Sequence, residues 1–244
     1  MYLLKSISNQ KLYLIPCFLS PDIEDKTVTD QTKNILKRIS VFLVENEKSA
    51  RRFPYSLKLN IELEKITFYT LEKDTSKKEV MDFFNEIKKN NFTEIGVISE
   101  AGCPGIADPG ALAVQYAHQH QIQVIPIAGP SSILLALMAS GMNGQSFIFH
   151  GYIPIEKEKR IKYIQTMEKD SVNNKRTQIF IETPYRNNQL FKELIDTCNL
   201  KTQLCIATDI TAPTEFIQTK SIAQWEKIAI DLHKKPTVFL LGNE

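Results

Sequence analysis

The chain has 244 residues, of which 43% are apolar and 24% are charged, as is typical of a globular protein with one large domain or two smaller ones. No stretch approaches the roughly 18–20 apolar residues of a membrane span, so we expect no contact with membranes. Thirty basic and 28 acidic side chains give a formal net charge of +2, which neither indicates nor excludes a nucleic-acid partner.

The first half of the chain alternates short apolar runs with helical patterns. Ser76 and Glu79 have capping-box spacing before apolar residues that repeat at helical spacing, so a helix begins there. The alternation predicts a mostly parallel sheet with right-handed crossovers. Strands are predicted over 11–16, 41–45, 66–71, 95–99 and 124–127, and helices over 28–39, 76–90, 111–120 and 131–140.

The segment GMNGQ, residues 141–145, is the best domain boundary, because two glycines and an asparagine separate apolar blocks. We expect one α/β domain over 1–142 and a second over 143–244. Residues 208–219 read as two strands joined by a turn at Ala212 and Pro213, so the second sheet is predicted to be mixed. Its strands are predicted over 147–152, 178–183, 204–209 and 238–241, and its helices over 157–169, 187–198 and 223–233.

The most informative segment is SEAGCPGIADPG, residues 99–110, which follows a buried strand and precedes a helix. In open α/β sheets, ligands bind beyond the carboxyl ends of the strands, beside helix N-termini. Glycines allow the backbone to approach a ligand closely, and prolines hold a loop rigid. The segment predicts a ligand-binding loop, although a glycine-rich turn can also be a purely steric solution.

A second segment, IAGPSSILLA, covers residues 127–136. Gly129 and Pro130 make a turn, and Ser131 or Ser132 can cap the following helix by accepting from its first free N–H groups. Because this turn also follows a strand, we expect it to face the same crevice as residues 99–110.

These two segments in this order, with FIFHGYIP at 147–154 and IFIETPYR at 179–186, resemble the tetrapyrrole methylase superfamily of S-adenosylmethionine (SAM)-dependent methyltransferases. Within it, the chain is most similar to the small-subunit ribosomal RNA (cytidine-2′-O)-methyltransferases. The resemblance implies two α/β domains, a homodimer, and SAM in the cleft between the domains. It also implies cofactor contacts by Gly102, Cys103, Pro104, Ile106, Ser131, Ser132 and Ile133 and, by looser alignment, Ala207 and Thr237.

The chain departs from the ribosomal branch at several positions on the acceptor side. Residues 16–25 lack the Gly-Asn pair of that branch, 45–48 read ENEK, 184–186 replace Pro-His-Arg by Pro-Tyr-Arg, and 208–212 lose a basic run. The expected function is methylation of ribosomal RNA at a ribose 2′-hydroxyl. Methylation of a tetrapyrrole or another non-RNA acceptor, and a non-catalytic SAM-binding module, stay open as alternatives.

Methyl transfer to a hydroxyl is helped by a general base, and carboxylates near the loop 99–110 are candidates. Glu100 and Asp108 bracket the cofactor loop, although each can instead cap a helix or orient loop amides. Glu182 and Arg186 match the Glu-x-Pro-x-Arg element of the family, and a structural ion pair at a helix start is the competing interpretation. Phe18, Tyr152 and Tyr185 can stack on an acceptor base or pack in the core.

No metal site is expected, because the four histidines and four cysteines show no ligand spacing. The cysteines form no CxxC pair, and the first residues lack the apolar core of a signal peptide. We therefore expect a cytoplasmic enzyme with reduced thiols, with SAM as its only cofactor and RNA as its partner. The basic runs 48–52 and 157–162 can contact phosphates, although solvated helix surfaces are the commoner outcome.

Overall fold

The computed structural model describes residues 8–20 and 27–242. The chain forms two compact units, Met1–Pro130 and Ser131–Glu244. The boundary proposed from the sequence, between residues 142 and 143, falls after helix Ser132–Ser140 rather than before it. That helix packs on strands of the second unit, and the Thr219 hydroxyl donates to the Ser140 carbonyl at 2.7 Å. Its apolar sequence, SILLALMAS, therefore packs on the second sheet.

The first unit is a five-stranded sheet flanked by helices. The strands are β1 Lys11–Ile15, β2 Val41–Val44, β3 Thr67–Thr70, β4 Glu94–Ile98 and β5 Gln123–Pro126. The helices are α1 Asp30–Leu36, α2 Glu47–Ser56, α3 Lys77–Lys89 and α4 Ala111–Gln119, and a 3-10 turn covers Leu63–Lys65. The strand order is β3-β2-β4-β1-β5, and the described pairs are all parallel, as predicted.

The middle of this sheet is buried on both faces. All four residues of β2 are buried, which is typical of parallel strands covered by helices. Gly96 in β4 allows the neighbouring strand to carry a large ring, because a Cβ at this position would lie 2.3 Å from Cδ1 of Phe42. The central strands are thus fixed by core packing, and their carboxyl ends share one edge.

Two helix starts in the first unit follow directly from side-chain capping. The predicted capping box at Ser76 and Glu79 is present and begins α3. No helix is predicted from the sequence over α2, which carries Pro54 in its last turn. Asn46 starts α2 by accepting from the Ser49 amide at 3.1 Å, so this helix begins right after β2 and Glu45.

The second unit is a mixed sheet, also as predicted. Its strands are β6 Phe147–Tyr152, β7 Thr177–Ile181, β8 Gln203–Thr208, β9 Phe216–Ser221 and β10 Thr237–Gly242, in the order β6-β7-β10-β8-β9. Strands β6 and β7 are parallel, and the other pairs are antiparallel. The helices are α5 Ser132–Ser140, α6 Lys157–Asn174, α7 Asn187–Thr197 and α8 Ile222–Trp225, and a 3-10 turn covers Pro184–Arg186.

Two predicted helices of the second unit have different lengths in the structure. Helix α6 continues past 169 to Asn174 and ends at Lys175 in the left-handed conformation. The helix predicted over 223–233 is wrong after Trp225, whose buried indole donates to the Leu204 carbonyl at 2.8 Å. Farther along, the Leu232 amide donates to the Asn188 side chain at 2.7 Å, so this segment is held on α7 without helical pairing.

Candidate active site

Three loops of the first unit meet at the carboxyl ends of its strands. The loop after β1 joins the loop after β4 where the Cys17 amide donates to the Gly102 carbonyl at 2.8 Å, forming an isolated antiparallel bridge. The loop after β4 joins the turn after β5 where the Cys103 thiol donates to the Pro130 carbonyl at 3.4 Å. The segments 99–110 and 127–130 are thus brought together, as expected, although β1 lies between β4 and β5 in the sheet.

Glycines make this close approach of the loops possible. A Cβ at Gly129 would lie 2.1 Å from Cγ of Pro16, so no other residue fits beside the proline ring without a shift. Gly102 has φ +67°, a left-handed conformation that favours glycine, and it is buried. The glycines of both segments therefore shape the junction itself.

The loop 99–110 holds the first group of predicted cofactor residues. Gly102 and Pro104 are buried, and Cys103 is half-buried, where burial raises the pKa of its thiol. Ile106 donates its amide to the Cys103 carbonyl at 3.3 Å, and its side chain is 51% exposed. An exposed isoleucine on a tightly folded loop provides an apolar contact for a ligand at this edge.

Three carboxylates gather beside the same loop. The Glu100 amide lies 3.4 Å from Oε2 of Glu45, at the end of β2, and the Ser49 hydroxyl donates to Glu100 Oε1 at 2.9 Å. Burial, with the charges of Glu45 and Glu100, raises the pKa of Asp108 to about 6, although a hydrogen bond with Ser99 opposes the shift. Asp108 therefore titrates near neutral pH, which is a property of general bases.

Glu45 is the member of this cluster that the sequence analysis missed. It appears there only as part of the ENEK departure, yet burial raises the pKa of its carboxyl group. The signal was its position directly after the buried strand β2, whose neighbour β4 ends at the loop 99–110. Within residues 8–20 and 27–242, no three His, Cys, Asp or Glu side chains are arranged to hold a metal ion.

The second unit begins with the other predicted cofactor turn. Ser131 caps α5 by accepting from the Leu134 amide at 3.5 Å, and Ser132 is the first residue of the helix. Ile133 is buried, whereas Leu134 is 51% exposed and Met138, one turn later, is 79% exposed. The cap that the sequence allows at either serine is therefore made by Ser131.

Ala207 and Thr237 lie on adjacent strands of the second sheet. Ala207 in β8 pairs with Val238 in β10, so Thr237 is next to it in the register. Ala207 is 0% exposed, and Thr237 is 5% exposed. The Thr237 hydroxyl lies 2.9 Å from the Lys235 carbonyl and 3.1 Å from the Thr208 hydroxyl.

Glu182 and Arg186 form a tight ion pair after β7. Nη2 of Arg186 donates to Oε1 of Glu182 at 2.6 Å, and the Thr183 amide donates to the same oxygen at 2.6 Å. The Glu182 side chain is 1% exposed and the Arg186 side chain 30%. The geometry is that of the competing interpretation, an ion pair that fixes the turn at the start of α7.

Curated proteins that share one name are similar to this chain in sequence. The chain is 29% identical over 235 residues to "Ribosomal RNA small subunit methyltransferase I" of Buchnera aphidicola subsp. Schizaphis graminum, covering 94% of this chain and 77% of that protein. The protein of the same name from Thermotoga maritima is 27% identical over 231 residues, covering 91% and 95%. The chain is thus similar to the ribosomal RNA small subunit methyltransferase I proteins.

Solved structures share the fold of this chain over nearly its whole length. The methyltransferase CobJ matches with a TM-score of 0.62 at 15% identity, over 96% of this chain and 94% of that one. A uroporphyrin-III C-methyl transferase from Thermus thermophilus, solved with S-adenyl homocysteine, has a TM-score of 0.54 at 15% identity, over 95% and 97%. No family model matches the chain. The resemblance to the tetrapyrrole methylases and the two α/β sheets predicted from the motifs are thus confirmed.

Among the residues that the structure describes, none of the helices is both long enough and apolar enough to cross a bilayer. The longest, α6, has 18 residues and carries charged side chains along its length.

Proposed function

We propose that this chain transfers the methyl group of SAM to a ribose hydroxyl of ribosomal RNA. The observation that carries the proposal is the junction of three loops at the carboxyl edge of the first sheet, tied by the Cys17–Gly102 bridge. Open α/β sheets bind ligands at this edge. The names of relatives that align with more than nine-tenths of this chain support both the enzyme class and the acceptor.

The residues at the junction suit a cofactor that carries a positive charge. SAM supplies a methyl group already activated on a sulfonium. The carboxylates of Glu45, Glu100 and Asp108 give this edge a negative potential that favours such a cation. We assign the cofactor contacts to the loop residues Gly102, Cys103, Pro104 and Ile106 and, in the second unit, to Ser131, Ser132, Ile133, Ala207 and Thr237.

The acceptor hydroxyl must lose its proton during transfer. We propose Asp108 and Glu100 as the groups that receive it, because Asp108 is mostly ionised at pH 7 and still basic enough to bind a proton. We propose that the ion pair of Glu182 and Arg186 supports the reaction by holding the backbone of the turn before α7 in place. The protein's main contribution is otherwise orientation of the acceptor, which can lower a barrier by about 7–11 kcal/mol in favourable cases.

We also propose a cytoplasmic homodimer. The four cysteines are all free thiols, as is usual in a reducing compartment. Leu134 and Met138, one turn apart on α5, expose apolar surface that a second copy can cover.

A label-transfer assay tests the proposed function. Purified protein would be incubated with methyl-labelled SAM and, separately, with small ribosomal subunits lacking this methylation, with bare ribosomal RNA and with a tetrapyrrole fraction. We expect label in ribosomal RNA, and about 100-fold less with Glu100→Gln or Asp108→Asn, while Glu158→Gln on the exposed start of α6 serves as the matched control. Label that enters only the tetrapyrrole fraction would overturn the RNA acceptor, and SAM binding without any transfer would identify a non-catalytic module.

A further inference from the structure

One aromatic side chain projects into solvent after β7. Tyr185 is 70% exposed and lies in the 3-10 turn Pro184–Arg186, between the buried Glu182 and the start of α7. The ring is therefore available for a contact outside the unit.

The backbone around Tyr185 is held in place by hydrogen bonds to the segment 231–235. The Lys234 amide donates to the Pro184 carbonyl at 3.0 Å. Asn187, which is 0% exposed, donates its side-chain amide to the Lys235 carbonyl at 2.7 Å. Asn188 next to it binds the Leu232 amide at 2.7 Å and Asp231 at 2.8 Å. Tyr185 is therefore presented on a rigid turn rather than on a free loop.

A lysine and a histidine lie beside the ring. The ammonium of Lys234 lies 6.0 Å from the Tyr185 ring centroid, and the His233 ring lies edge-on at 6.0 Å. Both side chains are exposed, and Lys235 is half-buried beside them. We call Tyr185, His233 and Lys234 the Tyr185 platform.

The nearby carboxylates are already engaged within the fold. Glu182 is paired with Arg186, and Asp231 accepts from the Asn188 side chain and from the His233 amide at 3.0 Å. The surroundings of Tyr185 therefore contain three basic side chains and two carboxylates. The basic side chains are Arg186, Lys234 and Lys235, and both carboxylates are hydrogen-bonded to the protein. The platform presents a cation and a ring to solvent.

We propose that the Tyr185 platform binds an unpaired nucleotide of the RNA acceptor, with its base stacked on Tyr185 and its phosphate at Lys234. Single-stranded nucleic acid is recognised by aromatic rings for its bases and by cations for its backbone, which are the two groups placed together here. A protein partner would need an apolar core, whereas the neighbours of Tyr185 are charged and exposed. The inference rests on the proposed ribosomal RNA function and names a part of the surface that holds the acceptor.

Fluorescence anisotropy with a labelled, unstructured oligoribonucleotide of about a dozen nucleotides tests the platform. We expect Tyr185→Ala to weaken binding about tenfold, the loss of one base–aromatic stack, and Tyr185→Phe to retain it. Lys234→Ala should lower the slope of log affinity against log salt by about one. Tyr55→Ala is the matched control, because Tyr55 is an 81% exposed tyrosine on α2 of the first unit.

Binding by Tyr185→Ala equal to that of the wild type would overturn the platform, as would a Tyr185→Phe variant that binds as poorly as Tyr185→Ala. The melting-temperature shift produced by SAM must be unchanged in both variants, which separates loss of the acceptor from loss of the fold. If the wild type and Tyr185→Ala methylate RNA equally well at low RNA concentration, the platform is contradicted and the proposed function is not. Wild-type protein that labels only a tetrapyrrole contradicts the proposed function itself.

Discussion

Among the carboxylates at the proposed cofactor edge, Asp108 is the one whose ionisation the fold changes most clearly. Burial and two neighbouring carboxylates raise its pKa from the ordinary 3.8 to about 6. The folded state therefore binds this proton more strongly than the unfolded state, and the free energy of unfolding falls as pH rises between about 4 and 6. Asp108→Asn removes this penalty.

We expect Asp108→Asn to increase the free energy of unfolding by about 1 kcal/mol more at pH 7 than at pH 4, allowing for partial solvent screening. Urea denaturation at the two pH values measures the difference. Asp82→Asn, on the exposed face of α3, is the control and should show no such pH dependence. Equal effects of Asp108→Asn at both pH values would mean that the carboxyl group is not destabilised by the fold.

Substitution of Gly129 by alanine adds one methyl group and tests how closely the loops of the junction pack. Its Cβ position lies 2.1 Å from the Pro16 ring, whereas no described atom lies within 4 Å of the Cβ position of Gly144. Gly129→Ala should therefore destabilise the protein by about 1–3 kcal/mol, and Gly144→Ala should have little effect. Chemical denaturation compares them, and similar stability of the two variants would contradict the close approach of Pro16 and Gly129.

Among the elements, α6 and α7 are joined by a buried ion pair. Arg160 is 3% exposed and contacts Glu193 through two bonds, at 2.5 and 2.7 Å, while it also donates to the carbonyls of Pro154 and Ile155. Its guanidinium thus fastens the segment before α6 to α7. Removing one partner of such a pair leaves a buried charge without compensation.

Glu193→Ala is expected to lower the free energy of unfolding by about 3–5 kcal/mol, because Arg160 would stay buried and charged. Urea denaturation provides the measurement. Glu158→Ala removes an exposed glutamate from α6, the helix that carries Arg160, and should change stability by no more than about 0.5 kcal/mol. Similar decreases in the free energy of unfolding for the two variants would show that loss of the Arg160–Glu193 ion pair is not what destabilises Glu193→Ala.

Some helices and strands have bounds that local sequence patterns predict correctly. The Ser76–Glu79 capping box predicted the start of α3, and the strand 147–152 was predicted with the bounds that β6 has. Helix α8 was predicted too long, because periodicity cannot register that Trp225 is anchored on β8 and that Leu232 is bound by Asn188. Local patterns thus specify elements, and long-range side-chain bonds decide where some of them end.

At the scale of the whole molecule, the sequence predicts two α/β sheets and the meeting of the loops after β4 and β5, but not the contacts of these loops with the rest of the first unit. Glycines and prolines after strands identified 99–110 and 127–130. The Cys17–Gly102 bridge and the approach of Glu45 to Glu100 depend on β4 lying between β2 and β1, and the order of strands in a sheet is not written in local periodicity. The roles of the predicted site residues stay predictions.

Binding of SAM by the first unit's loop junction, within the full chain, underlies the proposed function. The direct measurement is the melting temperature with saturating SAM and with its demethylated product. At about 100 times the Kd, a ligand bound only by the folded state adds about 2.7 kcal/mol, so both should raise the melting temperature by roughly 5–10 °C. A melting temperature unchanged by either compound at saturating concentration would contradict the account.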